Sequence, residues 1–108
     1  MGNGERDKST DKIVVRVDPD LEELIPGYLQ NRRKDIEALR EALAREDFDT
    51  SQQLGHTMKG SGGGYGFDSI SAIGMAIEEA SKSRSQDKVR HAVSKLADYL
   101  DRVKVIYE

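Results

Sequence analysis

The chain has 108 residues, a formal net charge of −3 at pH 7, and 34% charged against 36% hydrophobic residues. This length fits one domain that can form a core without disulfides or metal, and the chain has no cysteine. The acidic balance argues against a nucleic-acid backbone as the main ligand. Since no apolar run approaches about 18 residues and the N-terminus lacks an apolar signal core, the sequence predicts neither a membrane span nor a leader.

The first predicted segments precede the long helices. Residues 1–12 are polar and non-periodic, which predicts a disordered tail. The β-branched run 13–17 predicts an extended lead-in that packs on the helices, because a lone strand would have no partner. Asp18 before Pro19 is a good helix start. Pro26 should then break or kink that helix, which gives a short first helix and a long second one.

Apolar residues at helical spacing predict four long helices. The first of these long helices should end near Arg45, and an aspartate, Asp47 or Asp49, should cap the second, which carries His56. Ser85 should cap the last helix, whose apolar positions alternate steps of four and three up to Tyr107.

These four amphipathic helices and their short connections indicate an all-α fold, an antiparallel four-helix bundle with a short additional N-terminal helix. One domain should take in residues 13–108. Met58 and Met75 are expected to fill its core. His91 lies off the apolar stripe of its helix and should be solvated.

His56 has the most informative surroundings in the chain. At about 100° per residue, Leu54 and Met58 fall on the opposite side of its helix. The face that His56 shares carries polar and small residues: Asp49, Gln52, Gln53, Lys59, Gly60 and Gly63. The imidazole should therefore be exposed in the middle of a polar face.

Glycines are dense around this histidine, with five between Gly55 and Gly64. Each costs a helix interior roughly 0.5–1 kcal/mol relative to alanine. Close approach of a partner, or a tight helix exit, explains them better than an ordinary helix, and Gly64 or Gly66 is available for a left-handed cap. Their spacing matches neither a P-loop nor a dinucleotide fingerprint.

The residue types narrow the chemistry open to His56. Metal binding has little support, because the chain has no cysteine and the other histidine, His91, is distant. A triad with Ser51 or Ser61 is disfavoured because both fall on the inward side of the helix. General acid–base catalysis would need a pocket that a small helical chain hardly offers. There remains a neutral imidazole acting as a nucleophile toward phosphorus, with the charge of Lys59 nearby.

One string around the histidine is specific: His56-x-x-Lys59-Gly60-Ser61, with Leu54-Gly55 before it and Gly66-Phe67 after it. It resembles the histidine-containing phosphotransfer (HPt) domain of two-component phosphorelays. The resemblance extends from about Val17 to the C-terminus and includes two flanking pairs, Asp47-Phe48 and Ile77-Glu78. The run Gly62-Gly63-Gly64 departs from it, since many members have fewer glycines there.

The resemblance implies a role for each residue of the string. His56 corresponds to the phosphorylated histidine, with Nε2 as the acceptor atom. Lys59 corresponds to a lysine that stabilises the phosphoryl group, and Gly60 to a glycine that leaves room for the partner. Three weaker candidates support them: Gln53, Gln52 and Gly63.

The implied function is that of a cytoplasmic, monomeric phosphocarrier without kinase activity of its own. It would accept a phosphoryl group from the aspartyl phosphate of a receiver domain and pass it to another receiver. Response-regulator receivers, a hybrid histidine kinase or both would be its partners, with no role for nucleic acid or membrane. The chain would bind no cofactor, and the receiver would bring Mg²⁺ and the acidic pocket, because the sequence has no clustered carboxylates beside His56.

Two alternatives stay open. The chain could be the substrate domain of a chemotaxis-type kinase, phosphorylated from ATP by a separate catalytic domain. It could also be a docking adaptor whose histidine is never modified.

Overall fold

A computed structural model describes residues 11–108, so the predicted disordered tail, residues 1–12, lies almost wholly outside the described part. Four α-helices account for most of the described residues: α1 Ile25–Ala44, α2 Phe48–Gly62, α3 Asp68–Lys82 and α4 Gln86–Arg102. Two short strands flank them, β1 Ile13–Val17 and β2 Val103–Tyr107. The predicted helical bundle is confirmed.

Helices α1 and α4 run antiparallel. Near the middle of α1, the Arg33 guanidinium donates to the Leu100 carbonyl at 2.8 Å. Near its end, the Gln86 amide donates to the Leu43 carbonyl at 3.1 Å. Residue numbers that increase along α1 therefore face residue numbers that decrease along α4, which makes the two helices antiparallel.

Every helix contributes to the core. The largest fully buried apolar side chains are Phe67, Ile25, Leu39, Met58, Ile70, Ile77, Leu96 and Val89. Met58 fills the core as predicted, but the same prediction for Met75 is wrong, because that side chain is 47% exposed. Its neighbour Gly74 faces α2, and the next residue along a helix points about 100° away.

The two ends of the described chain differ from the prediction. β1 pairs in parallel with β2, with Ile13 opposite Val103 and Val17 opposite Tyr107. The expectations of an unpaired lead-in and of a last helix continuing to Tyr107 are therefore wrong, and the fold is mostly helical rather than purely α. β-branched residues favour extended backbone, and each strand supplies the partner that the other needs.

The expected short first helix corresponds only to one turn of 3-10 helix, Pro19–Leu21. The Asp18 carboxylate caps this turn by accepting from the Asp20 N–H at 2.9 Å. Pro26 then lies in the first turn of α1, where a missing N–H removes no helical hydrogen bond. Pro26 therefore helps to begin α1 and does not kink a longer helix.

Three further helix boundaries lie where the sequence predicts them, two at side-chain caps and one at a glycine. The Asp47 carboxylate accepts from the Thr50 N–H and begins α2. Ser85 caps α4 through the Lys88 N–H. Gly66, with φ of 93°, takes the left-handed conformation that ends the turn after α2.

Candidate functional site

Helices α2 and α3 touch at three glycines, which we call the glycine seam: Gly55, Gly62 and Gly74. A Cβ on Gly55 would lie 2.7 Å from the Glu78 backbone nitrogen, and one on Gly74 would lie 2.5 Å from that of Lys59. Gly62 is equally crowded, with its nearest atom at 2.6 Å. Part of the glycine density thus serves the packing of α3, which the sequence interpretation did not consider.

Other glycines of the region lie in the open. A Cβ on Gly60 or Gly64 would meet nothing within 4 Å. Gly63 has only ordinary contacts, and its N–H donates to the Ser71 hydroxyl at 2.8 Å. The bare surface at Gly60 suits the access predicted there, whereas Gly63 belongs to the connection between α2 and α3.

His56 stands on the outer face of α2. Its side chain is 61% exposed, as predicted. Its Nδ1 atom lies 3.1 Å from Oε2 of Glu78, a residue of α3 that is 22 positions further along the chain. The sequence shows no carboxylates clustered beside His56, but the fold brings one into direct contact with the ring.

Glu78 is a buried carboxylate, with its side chain 7% exposed. Its Oε1 atom lies 2.9 Å from Nζ of Lys59. The Lys59 ammonium beside Glu78 lowers the pKa of this carboxyl, burial opposes that shift, and the His56 hydrogen bond adds to it. Because its pKa is lowered, Glu78 is ionised at neutral pH and can only accept hydrogen bonds.

This contact determines which ring nitrogen of His56 is free. An ionised carboxylate can only accept a hydrogen bond, so Nδ1 is the donor and carries the hydrogen of the neutral imidazole, a tautomer assigned from its partner. Nε2 then keeps its lone pair, and it has no hydrogen bond to any residue of the range 11–108. The site therefore presents one nucleophilic nitrogen to the outside.

A shallow groove opens beside the ring. Its lining residues are Asp49, Gln52, Gln53, His56, Glu78 and Lys82. The Gln53 amide donates to the Thr57 hydroxyl at 3.5 Å, so its hydrogen bond goes to Thr57 and not to the imidazole. Both supporting glutamines line the groove beside His56.

Ser51 and Ser61, the two serines considered as triad members, are engaged elsewhere. The Ser51 hydroxyl is buried and lies 2.6 Å from that of Ser81. Ser61 lies 3.0 Å from the Tyr28 hydroxyl. Within residues 11–108, no group of three or more acidic or histidine side chains is placed to hold a metal ion.

Sequence reasoning missed Glu78 and Lys82 as members of this site. Gly74, Ile77, Glu78 and Ser81 follow one another at the spacing of a single buried helix stripe. A carboxylate on such a stripe needs a partner, and that signal was present in the sequence.

A protein-family model described as the Hpt domain matches residues 23–105. The matched range includes His56, Lys59, Gly60 and Glu78. Comparison with curated proteins and with solved structures gives no match. Among the helices of residues 11–108, none has the length and apolar character needed to cross a bilayer.

Proposed function

Because the chain belongs to the Hpt domain family, we propose that His56 accepts a phosphoryl group from the aspartyl phosphate of a receiver domain and passes it to another receiver. Hpt domains carry phosphoryl groups on histidine in two-component phosphorelays, as phosphocarriers and not as catalysts. The observation that supports the choice of His56 is its exposed imidazole, with Nδ1 held by the buried Glu78 and Nε2 free.

The proposed step balances without an added acid or base. The Nε2 lone pair attacks phosphorus, and the bond from phosphorus to the donor aspartate oxygen breaks. The bonding electrons stay with that oxygen, which leaves as a carboxylate. Nδ1 keeps its proton, and the charge that develops on the ring faces the Glu78 carboxylate at 3.1 Å.

Lys59 and Gly60 are proposed to assist from the same helix. Lys59 lies about one turn from His56, and its side chain is 40% exposed, so its ammonium can turn toward phosphoryl oxygens. Such a charge acts on a transition state that is largely electrostatic. Gly60 presents bare backbone, which lets the receiver approach the ring closely.

The rest of the proposed setting concerns the partner and the compartment. We assign Mg²⁺ and the acidic pocket to the receiver, and we place the chain in the cytoplasm as a monomer. No nucleic acid or membrane takes part in this proposal.

Label transfer from a phosphorylated receiver tests the proposal. The chain should acquire a label that is labile in acid and stable in base, and His56→Gln should abolish it. His91→Gln is the matched control, because His91 is an exposed histidine on another helix. A chain that stays unlabelled beside every activated receiver, or a His56→Gln chain that is labelled normally, contradicts the proposal.

Access at Gly60 is tested by comparing two donors. Gly60→Glu should block transfer from a receiver while phosphoramidate, a small donor, still labels His56. Loss of labelling from both donors would show that the glutamate damages the site itself and would contradict the access role.

A further inference from the structure

One buried carboxylate serves three groups at this site. Oε1 of Glu78 is buried and has the Lys59 ammonium, 2.9 Å away, as its charged neighbour. Oε2 accepts a hydrogen bond from Nδ1–H of His56 at 3.1 Å and lies 4.0 Å from Nζ of Lys82. Lys59 is therefore closely paired, whereas Lys82 stands at the outer limit of an ion pair.

Phosphorylation of His56 would create a conflict for Lys59. A protein phosphoryl group carries about −1.5 to −2 charge at neutral pH, and it would attract the ammonium one turn away. If Lys59 turns toward the phosphoryl group, Oε1 of Glu78 loses its charged neighbour in a buried position. Glu78 would then keep only its contact with His56, and a buried charge that loses one of its partners is costly, so Glu78 would hold Lys59 back.

Lys82 is placed to resolve this conflict. It follows Glu78 by four residues on α3, and its half-exposed side chain lines the groove next to His56. Its other acidic neighbour, Glu79, lies 3.8 Å away and is 65% exposed, so that pairing is weak. A small movement would bring the Lys82 ammonium into contact with the Glu78 carboxylate.

We propose that Lys82 is a replacement counter-ion, which pairs with Glu78 when Lys59 turns to the phosphoryl group on His56. This inference rests on the proposed function of His56. Lys82 is a positioning residue in this scheme, because it acts through Glu78 and Lys59 and does not touch the phosphorus.

The test uses the full chain and phosphoramidate, so that no receiver is needed. The donor's phosphorus–nitrogen bond breaks, ammonia leaves with the bonding electrons, and the bond from phosphorus to Nε2 forms. Phosphorus NMR measures the rate at which phosphoramidate labels His56. Lys82→Gln should slow labelling about three- to five-fold, the size expected of a partly exposed ion pair. Lys82→Arg should restore most of the rate, since it keeps the charge.

Two comparisons make the test specific. Lys95→Gln removes an exposed lysine from α4 and should leave the rate unchanged. In a Lys59→Gln background, Lys82→Gln should have little further effect, because no ammonium then leaves Glu78. Thermal unfolding of each variant checks that all of them remain folded.

The outcomes separate this inference from the proposed function. Equal rates for Lys82→Gln and Lys95→Gln would overturn the role of Lys82 while leaving His56 as the phosphorylated residue. An undiminished effect of Lys82→Gln in the Lys59→Gln background would also overturn it, since Lys82 would then act without Lys59. Absence of any label on His56 would instead count against the proposed function.

Discussion

Two helix contacts in this bundle are built in opposite ways. At the glycine seam, α2 and α3 approach so closely that a Cβ added to any of the three glycines would lie 2.5–2.7 Å from a backbone nitrogen of the facing helix. Between α1 and α4, long side chains such as Arg33 and Gln86 reach across to carbonyl groups. An open groove runs there, lined by Arg40, Leu43, Ala44, Arg90, Val93 and Ser94.

The difference indicates that the two contacts serve different needs. A hydrogen bond of 3.1 Å between side chains on separate helices requires a fixed helix spacing, and glycines give α2 and α3 that spacing. Long side chains tolerate small changes in spacing, so the α1–α4 contact can stabilise the bundle without fixing a site. Substitutions in the two regions should therefore separate stability from phosphotransfer.

The largest loss of stability should come from the region away from the site. Leu39→Ala removes a fully buried side chain from α1 and should lower the free energy of unfolding by about 2–5 kcal/mol. Urea unfolding measures this loss. Under conditions where the variant stays folded, phosphoramidate should label His56 at the wild-type rate. A slower rate in the folded variant would break the proposed separation.

Gly74→Ala should affect the site more than the fold. Its Cβ would lie 2.5 Å from the Lys59 nitrogen, and such overpacking costs about 1–3 kcal/mol. The helices must move apart, so we expect labelling of His56 to slow about 10- to 100-fold.

Gly27→Ala is the matched control for this glycine. A Cβ there meets nothing within 4 Å, and alanine should stabilise α1 by roughly 0.5–1 kcal/mol. If His56 is labelled as fast in Gly74→Ala as in Gly27→Ala, the glycine seam does not determine the geometry of the site.

Glu78→Gln directly tests the contact between Glu78 and His56 that the glycine seam makes possible. The amide keeps the size of the side chain but loses the charge that orients the ring and faces its developing positive charge. Labelling by phosphoramidate should slow about 10-fold. The neighbouring Glu79→Gln, at an exposed position, should have no such effect. Equal labelling rates for the two variants would show that Glu78 does not assist the phosphorylation of His56.

The smallest expected effect is an acid dependence of stability. The pKa of Glu78 is lowered in the folded state below the usual glutamate value of 4.5, chiefly by Lys59. Its stabilising contribution is therefore complete above pH about 4.5 and is lost as pH falls through the folded pKa.

The difference in urea midpoint between wild type and Glu78→Gln should consequently shrink from pH 7 to pH 3. Glu79→Gln again serves as the control, and its difference from wild type should stay small throughout. A difference for Glu78→Gln that is the same at both pH values would contradict the ion pair.

Local signals predicted much of this fold. Asp47 and Ser85 cap their helices as expected, Gly66 adopts the left-handed exit, and the four apolar periodicities give four helices. In each case the deciding interaction lies within a few residues along the chain, where sequence patterns are informative. The exposure of His56 follows from the same helical geometry.

Long-range contacts account for what sequence reasoning missed. The β1–β2 pair joins segments 90 positions apart, as with Ile13 and Val103, and a short β-branched run does not indicate which strand it meets. Glu78 reaches His56 only because glycines let α3 approach α2, and that approach depends on both helices at once. The exposure of Met75 has the same long-range cause, since the neighbouring Gly74 faces α2.

Nitrogen-resolved NMR of the phosphorylated ring tests the central claim most directly. With nitrogen-15 in His56, phosphorus should couple to Nε2 while Nδ1 retains its proton and its bond to Glu78. Phosphorus on Nδ1, or a ring that stays unmodified beside activated donors, would contradict the account.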